Sequence, residues 1–174
     1  AYQNAFKHPL LVNSYINTLF VVVVGTTLST VLTAIAAYFM SRKNVFFKRA
    51  ISLVLIFTIY FSRGLVPFYL VVKNLGLLNN LASLILPSLL SVYNILVMRG
   101  GFESLPDSIE ESAKIDGAGH IVILFRILLP IALPTLAVII LYYGVTYWNA
   151  WFNAMMFIKD RTKYPLQLVL RQIL

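Results

Sequence analysis

Five of the chain's six acidic residues, Glu103, Asp107, Glu110, Glu111 and Asp116, lie between positions 103 and 116. Carboxylates this close suggest acid–base chemistry first, and Glu110 with Glu111 could be imagined as a glycosidase pair. Their spacing argues against it. Adjacent residues on a helix point about 100° apart and do not face each other, and a solvated loop supplies no dry pocket. The two histidines, His8 and His120, lie far apart in the sequence, and cysteine is absent. No Ser/His/Asp set or metal-ligand cluster stands out. The phosphate-binding pattern of Gly, four residues, then Gly-Lys-Ser/Thr is also missing. The reading is therefore no enzyme, no metal and no bound cofactor. His8, beside Pro9, reads as a membrane-interface residue, and His120 as a solvated or docking-surface side chain.

What remains for the acidic cluster is a structural surface. Pro106 suits the first turn of a helix, and Asp107 and Glu110 in that turn favour the helix dipole. Glu110 and Lys114 are an i,i+4 pair in the stabilising order. Gly117 ends the helix, because glycine takes the left-handed conformation common just past a helix terminus. A second helix then starts near Ala118 and runs through Phe125 toward Pro130. Ile109, Ser112, Ala113 and Asp116 share one side of the first helix. The prediction is a helix, a glycine bend and a helix over 103–130, offering small and apolar residues to a partner.

The rest of the chain is of a different kind. It has 174 residues, 60% hydrophobic and only 11% charged, with mean hydropathy +0.84. Soluble domains carry about 25% charged residues, so the composition is that of a membrane protein. Charge-free runs extend over 9–41, 74–98 and 127–158, and about 20 such residues cross a bilayer core. Spans are predicted near 15–40, 50–72, 81–98 and 131–157. Gly25, Ser29 and Thr33, with Thr26, Thr30 and Ala34, recur every fourth residue, as close helix packing in lipid requires. The second span contains Arg63-Gly64 and Pro67 and should be kinked. Arg42, Lys43, Lys48 and Arg49 bracket Asn44 to Phe47, and this basic loop is expected on the cytoplasmic side. Counting spans places 103–130 on that same side. The net charge of +8 is spread over loop ends, which argues against nucleic acid. Tyr164 to Leu174, with Pro165, reads as an amphipathic interfacial helix.

Glu111-Ser112-Ala113, with Gly117 six residues after the Glu and Ile127-Leu128-Leu129-Pro130 beyond, resembles the EAA loop of ABC-importer permeases. Ala113 to Ala118, reading AKIDGA, is similar to the carbohydrate-importer branch. Gly64 to Pro67, Leu75 to Asn79 and Trp148 to Phe152 resemble its complex-saccharide subgroup. Ser112 replaces the usual Ala, and Arg63 stands where a small residue is usual. The resemblance implies an all-α, polytopic transmembrane helical bundle of the type I importer permease kind, with a cytoplasmic coupling loop. It implies a bacterial or archaeal cytoplasmic membrane and about six spans, so that one would precede Ala1 and one follow Leu174. Implied partners are a second homologous permease subunit, a pair of cytoplasmic ATPase subunits holding ATP and Mg, an extracytoplasmic solute-binding protein, a saccharide and membrane lipid. Ile109, Glu111, Ser112, Ala113, Asp116, Gly117 and Ala118 would dock on the ATPase, with Glu111 pairing to a basic group there.

Polar groups within the spans mark a candidate pathway. Tyr142, Thr146, Asn149 and Asn153 form a stripe on the last span, and Tyr60, Arg63 and Asn94 join it as candidates. Amides that bond hydroxyls, beside aromatic rings, suit a sugar. Helix-to-helix hydrogen bonding within the bundle is the competing use of each. A permease for a non-sugar solute, or an ATP-independent channel or secondary transporter, are the alternative functions.

Overall fold

The computed structural model describes residues 9–42, 47–61 and 64–173. Lys7 and His8, the middle of the basic loop (Lys43 to Phe46) and Arg63 fall outside the described residues, as does the expectation placed on each. The described residues are helical and contain no strand. In chain order the helices are α1 (Pro9–Ser41), α2 (Lys48–Ile59), α3 (Leu65–Asn74), α4 (Ala82–Ile85), α5 (Val92–Glu103) and α6 (Asp107–Ile115). Then come α7 (His120–Ile131), α8 (Leu133–Trp148), α9 (Trp151–Phe157) and α10 (Leu166–Ile173). The chain forms two compact units, Ala1–Leu28 with Arg63–Leu89 and Tyr143–Leu174, and Ser29–Ser62 with Leu90–Tyr142.

By length and composition one helix, Leu11–Ser41, can cross a bilayer, or up to three if each bent pair is one span. Of the four predicted spans only the first is one unbroken helix. The second is drawn as α2 and α3. Helix α2 closes with three-residue bonds, Tyr60 N–H to Phe57 O and Phe61 N–H to Thr58 O, and Pro67 has no N–H to carry the ladder back across the break. The third is broken by a 3₁₀ turn, Leu86–Ser88, that contains Pro87, and α5 restarts on Ser91, whose hydroxyl caps Asn94 N–H. The fourth, 131–157, starts at a 90° bend between α7 and α8. Pro134 removes the N–H that would have bonded residue 130 across the bend. The same stretch breaks again after Trp148. There Ala150 N–H turns to Tyr147 O, three residues back.

In the first unit, the core is built from Val21, Val72, Leu84, Tyr143, Tyr147, Phe157 and Leu168, all fully buried. Phe157 meets Phe68 edge-on and stacks against Tyr69. Asn79, at φ 60°, ties the loops together. Its N–H donates to Phe157 O, its Oδ1 accepts from Lys159 and Asp160 N–H, and its carbonyl accepts from Lys163 Nζ. Asp160 caps Thr162, and those hydrogen bonds, backbone first, hold its carboxyl below the usual range. Thr18 Oγ accepts from Leu166 N–H and so seats the start of α10 on α1. Arg171 of α10 lies over the Trp151 ring at 3.6 Å.

The second unit packs Ala34, Ala37 and Met40 of α1 with Ile95, Met98 and Phe102 of α5, Ile123 and Leu128 of α7, and Ile139 of α8 in its core. Ser29 and Thr33 are buried, so the small-residue stripe of α1 is a packing face. Gly101 faces Thr135 closely enough that a Cβ there would lie 2.7 Å from its hydroxyl. Helix α2 contributes no buried residue and is tied to α5 by Arg99 Nη1 donating to Ser52 Oγ.

Within the first unit, a Cβ at Gly25 would lie 2.8 Å from the Tyr147 ring, itself fixed by its hydroxyl donating to Ile85 O. Overpacking of this sort costs about 1–3 kcal/mol. Gly25→Ala is expected to lower the unfolding temperature of the purified protein, and Gly25→Ala with Tyr147→Ala to lose less than the sum of the two single changes. Additive losses in a thermal-melt cycle would show that the two residues do not share the contact.

Candidate functional site

The stretch 103–131 folds as the sequence predicts locally. Helix α6 begins after Pro106 with Asp107 and Glu110 in its first turn. It ends in a Schellman motif: Ala118 N–H donates to Ala113 O at 2.9 Å and Gly117 N–H to Lys114 O at 3.0 Å. Gly117 holds φ +81°, the left-handed conformation this motif needs. Helix α7 follows, with a π-helical stretch, Ile123–Leu128.

The hairpin's two edges differ. Glu110, at 5% exposure, and Ala113 are buried, with Ile109 half-buried beside them. Glu111, Ser112, Ile115 and Asp116 are exposed. The expected common face of Ile109, Ser112, Ala113 and Asp116 is therefore divided. Ala113 is adjacent to Glu110 on the inner side, because positions 110 and 113 lie within one arc of the helix. It packs the hairpin onto its own chain, whereas Ser112 and Asp116 face outward. Gly117 is exposed and Ala118 half-buried. Ile115 and Ile121, one on each side of the bend, are 86% and 76% exposed.

Glu110 is the residue the sequence understates. Its i,i+4 bond with Lys114 forms, at 2.8 Å. It also pairs with Arg42, just past the end of α1. Arg42 is aimed by Ser41, whose Oγ accepts from Arg42 Nε at 2.9 Å, and its guanidinium lies 4.9 Å from the centre of the Tyr38 ring. The Tyr38 hydroxyl donates to Glu110 Oε1 at 3.5 Å and shares a 2.8 Å hydrogen bond with His120 Nδ1. A proton on His120 Nδ1 satisfies all three groups in series. His120, expected as a solvated or docking-surface side chain, is exposed and is also hydrogen-bonded to Tyr38 of α1. Removing one partner of a buried ion pair costs about 3–5 kcal/mol. A second anchor sits at the root of the hairpin, past the apolar run that ends at Met98. Partial burial disfavours the Glu103 carboxylate, but hydrogen bonds from Arg99 and Lys48 outweigh this and lower its pKa. Their contacts with it are 2.9 and 3.3 Å.

The pathway candidates belong to both units and differ in burial. Asn94 is buried and Tyr60, at 82%, is exposed. Tyr142 is exposed, with its ring 6.0 Å from that of Tyr93. Thr146 is exposed and Asn153 half-buried. Asn149 lies in the turn after α8 and donates to Val145 O of its own helix. The stripe assumed one continuous helix, and the break at Asn149 and Ala150 removes that premise. Cavities of about 410 and 470 Å³ in the first unit and 720 Å³ in the second are lined by other residues.

Residues 29–158 match the binding-protein-dependent transport system inner membrane component family, and the chain belongs to that family. Its fold is the all-helical one of a type I importer permease. It is 40% identical, over 99% of its own length and 60% of the relative's, to the polygalacturonan/rhamnogalacturonan transport system permease protein YtcP of Bacillus subtilis (strain 168). It is equally identical to Protein LplC of that organism, covering 59% of it. Among solved structures it is similar to a chain of a bacterial ABC transporter involved in the import of the acidic polysaccharide alginate. The TM-score is 0.95 at 34% identity, over 98% of this chain and 61% of that one. The chain thus spans about three fifths of the length of these relatives.

Among the described residues, beyond Gly117 and its two chain neighbours, no atom lies within 4 Å of a Cβ built on Gly117, so the constraint there is conformational. A left-handed backbone costs a non-glycine residue about 1–2 kcal/mol. Gly117→Ala is expected to raise hydrogen exchange at Gly117 and Ala118 several-fold while leaving α1 unchanged. Equal protection in both proteins would show that the bend does not depend on glycine.

Proposed function

We propose that the chain is part of the permease of an ATP-driven importer and that residues 103–131 form its docking hairpin for a cytoplasmic ATPase. The observation that carries this reading is the asymmetry of the hairpin. One edge is anchored by Glu110 and Ala113, and the other holds Glu111, Ser112, Ile115 and Asp116 in solvent around a fixed glycine bend. A rigid, mixed polar and apolar edge of this kind suits a groove on another subunit. Glu111 is placed to meet a basic group there, and Ile115 and Ile121 to fill an apolar recess. ATP and Mg would be held by a pair of ATPase subunits. A second homologous permease subunit and an extracytoplasmic solute-binding protein would complete the assembly.

For the solute we propose a saccharide, and among saccharides an acidic oligomer. Two similar proteins carry the words polygalacturonan/rhamnogalacturonan and acidic polysaccharide alginate. Charge supports the choice. Outside positions 103–116 the sequence has a single acidic residue, Asp160, against a formal net charge of +8. A path through such a chain holds little to repel a uronate. The polar groups proposed for it are Tyr60, Arg63, Asn94, Tyr142, Thr146, Asn149 and Asn153.

The test is co-purification of the full-length subunit with its partners, followed by ATPase assays with binding protein and a panel of oligosaccharides. An ATPase should co-purify, and oligouronates should stimulate hydrolysis more than neutral oligosaccharides of equal length. Absence of an ATPase would end the docking reading, and stimulation by non-sugars alone would end the saccharide reading. With the complex in hand, Asn149→Ala plus Asn153→Ala is expected to raise the half-saturating solute concentration several-fold. Unchanged transport kinetics would return both residues to packing.

A further inference from the structure

Beyond its link to α5 and the Glu103 anchor at its root, the hairpin has two connections to the rest of the second unit. One is covalent: α7 leads through the bend at Ala132 into α8. The other is the polar set in which Glu110 and His120 of the hairpin hold Tyr38 and Arg42 of α1. The covalent route is soft. It includes the π-helical stretch Ile123–Leu128, where the regular i→i−4 ladder is interrupted, and then a 90° bend where Pro134 leaves a backbone bond unmade. A push along α7 meets two places that can yield before it reaches α8.

The polar route is short and stiff. Glu110 is buried, Tyr38 is buried, and Arg42 is held from behind by Ser41. It ends on the 33-residue α1, the longest helix of the described residues. Apolar packing supplements it deeper along α7, where Ile123, Leu124 and Leu128 are buried, and is thinner beside the bend. A cavity of about 720 Å³ lies beside the polar set, bordered by Ile35 and Phe39 of α1 and by Ile121, Leu124 and Phe125 of α7. With that space open, the attachment of the bend end of the hairpin to α1 leans on the polar bonds. The cavity is not itself a ligand site: its cations Arg42 and Lys114 are both paired with Glu110, and His120 is bonded to Tyr38.

We infer that the Glu110–Arg42 pair, braced by Tyr38 and His120, is the strut that carries motion of the hairpin to α1, and that the covalent path through α7 and α8 does not suffice alone. Glu110 and Arg42 are positioning residues in this scheme. Neither meets the solute or ATP. Two carboxylates thus divide the work in adjacent positions, Glu111 facing outward to the partner and Glu110 inward to the strut. The inference rests on the reading of 103–131 as an ATPase-docking hairpin.

The experiment uses the full-length transporter, with its ATPase and binding protein, in proteoliposomes. Solute uptake and ATP hydrolysis are measured together, so that the readout is solute moved per ATP. Glu110→Gln and Arg42→Gln are each expected to retain the ATPase subunits and hydrolyse ATP, with uptake per ATP reduced at least ten-fold. The exchange Arg42→Glu with Glu110→Arg is expected to restore at least half of the wild-type ratio, which a loss of fold would not allow. These 174 residues hold no cysteine, and in a complex whose other cysteines are replaced a covalent substitute can be placed cleanly. Phe39→Cys with Ile121→Cys, bridged across the cavity by a short bis-methanethiosulfonate, should recover coupling in the Glu110→Gln background and lose it again on reduction. Single variants that couple like wild type overturn the strut. So does a bridged Glu110→Gln transporter that assembles but stays uncoupled, or an exchange no better than either single change. A wild-type complex that lacks ATP-driven uptake refutes the underlying permease reading instead, which keeps the two failures apart.

Discussion

A single carboxylate taken out of water governs the second compact unit. Glu110 is buried on a short helix whose other face is solvated. A buried charge is tolerated only when paired and hydrogen-bonded. Arg42, Lys114 and Tyr38 meet that demand, and meeting it fixes several things at once. Arg42 must stand at the end of α1, and Ser41 must turn it. The hairpin must lie against that end with Ala113 inward. The outward edge is then determined by the inward one, since both ride on the same few turns of helix.

Elsewhere the architecture is set by where the backbone ladder fails. Pro67, Pro87 and Pro134 each withhold a donor at a place where an apolar run would otherwise continue as one helix. Broken helices expose carbonyls and N–H groups, which in an apolar medium need new partners. The first unit answers with side chains. Asn79 accepts from two N–H groups and a lysine while taking a left-handed backbone itself. Thr18 performs the same service for the opening turn of α10. Polar residues in so greasy a chain are largely spent on repairing the backbone.

The sequence foretold a good deal of this. Pro106, the acids that follow it and Gly117 were sufficient to place α6 and its bend, because capping is local and its chemistry is written within a few residues. The small-residue repeat of α1 marked a packing face for the same reason. Composition alone announced the membrane class, and the loop motif led to the family that the match over 29–158 establishes. What could not be read were contacts between residues far apart in sequence. Nothing in the neighbourhood of Glu110 distinguishes it from Glu111, since the difference is made by Arg42 and Tyr38, some seventy positions earlier. The basic run at 42–49 suggested topology rather than a specific partner. The stripe from Tyr142 to Asn153 does not run along one continuous helix, because Asn149 and Ala150 form a turn within it.

The two isoleucines beside the bend have a consequence for how such a subunit is made. Ile115 and Ile121 leave large apolar side chains exposed, one on each side of the bend. Surfaces of that character are the ones by which nascent proteins stick to one another and by which quality-control machinery recognises them. A copy synthesised in excess of its counterpart would carry that flag permanently, whereas a copy that finds its seat would hide it. The supply of one subunit would in this way be trimmed to the supply of the other after translation, by the same few side chains that join them.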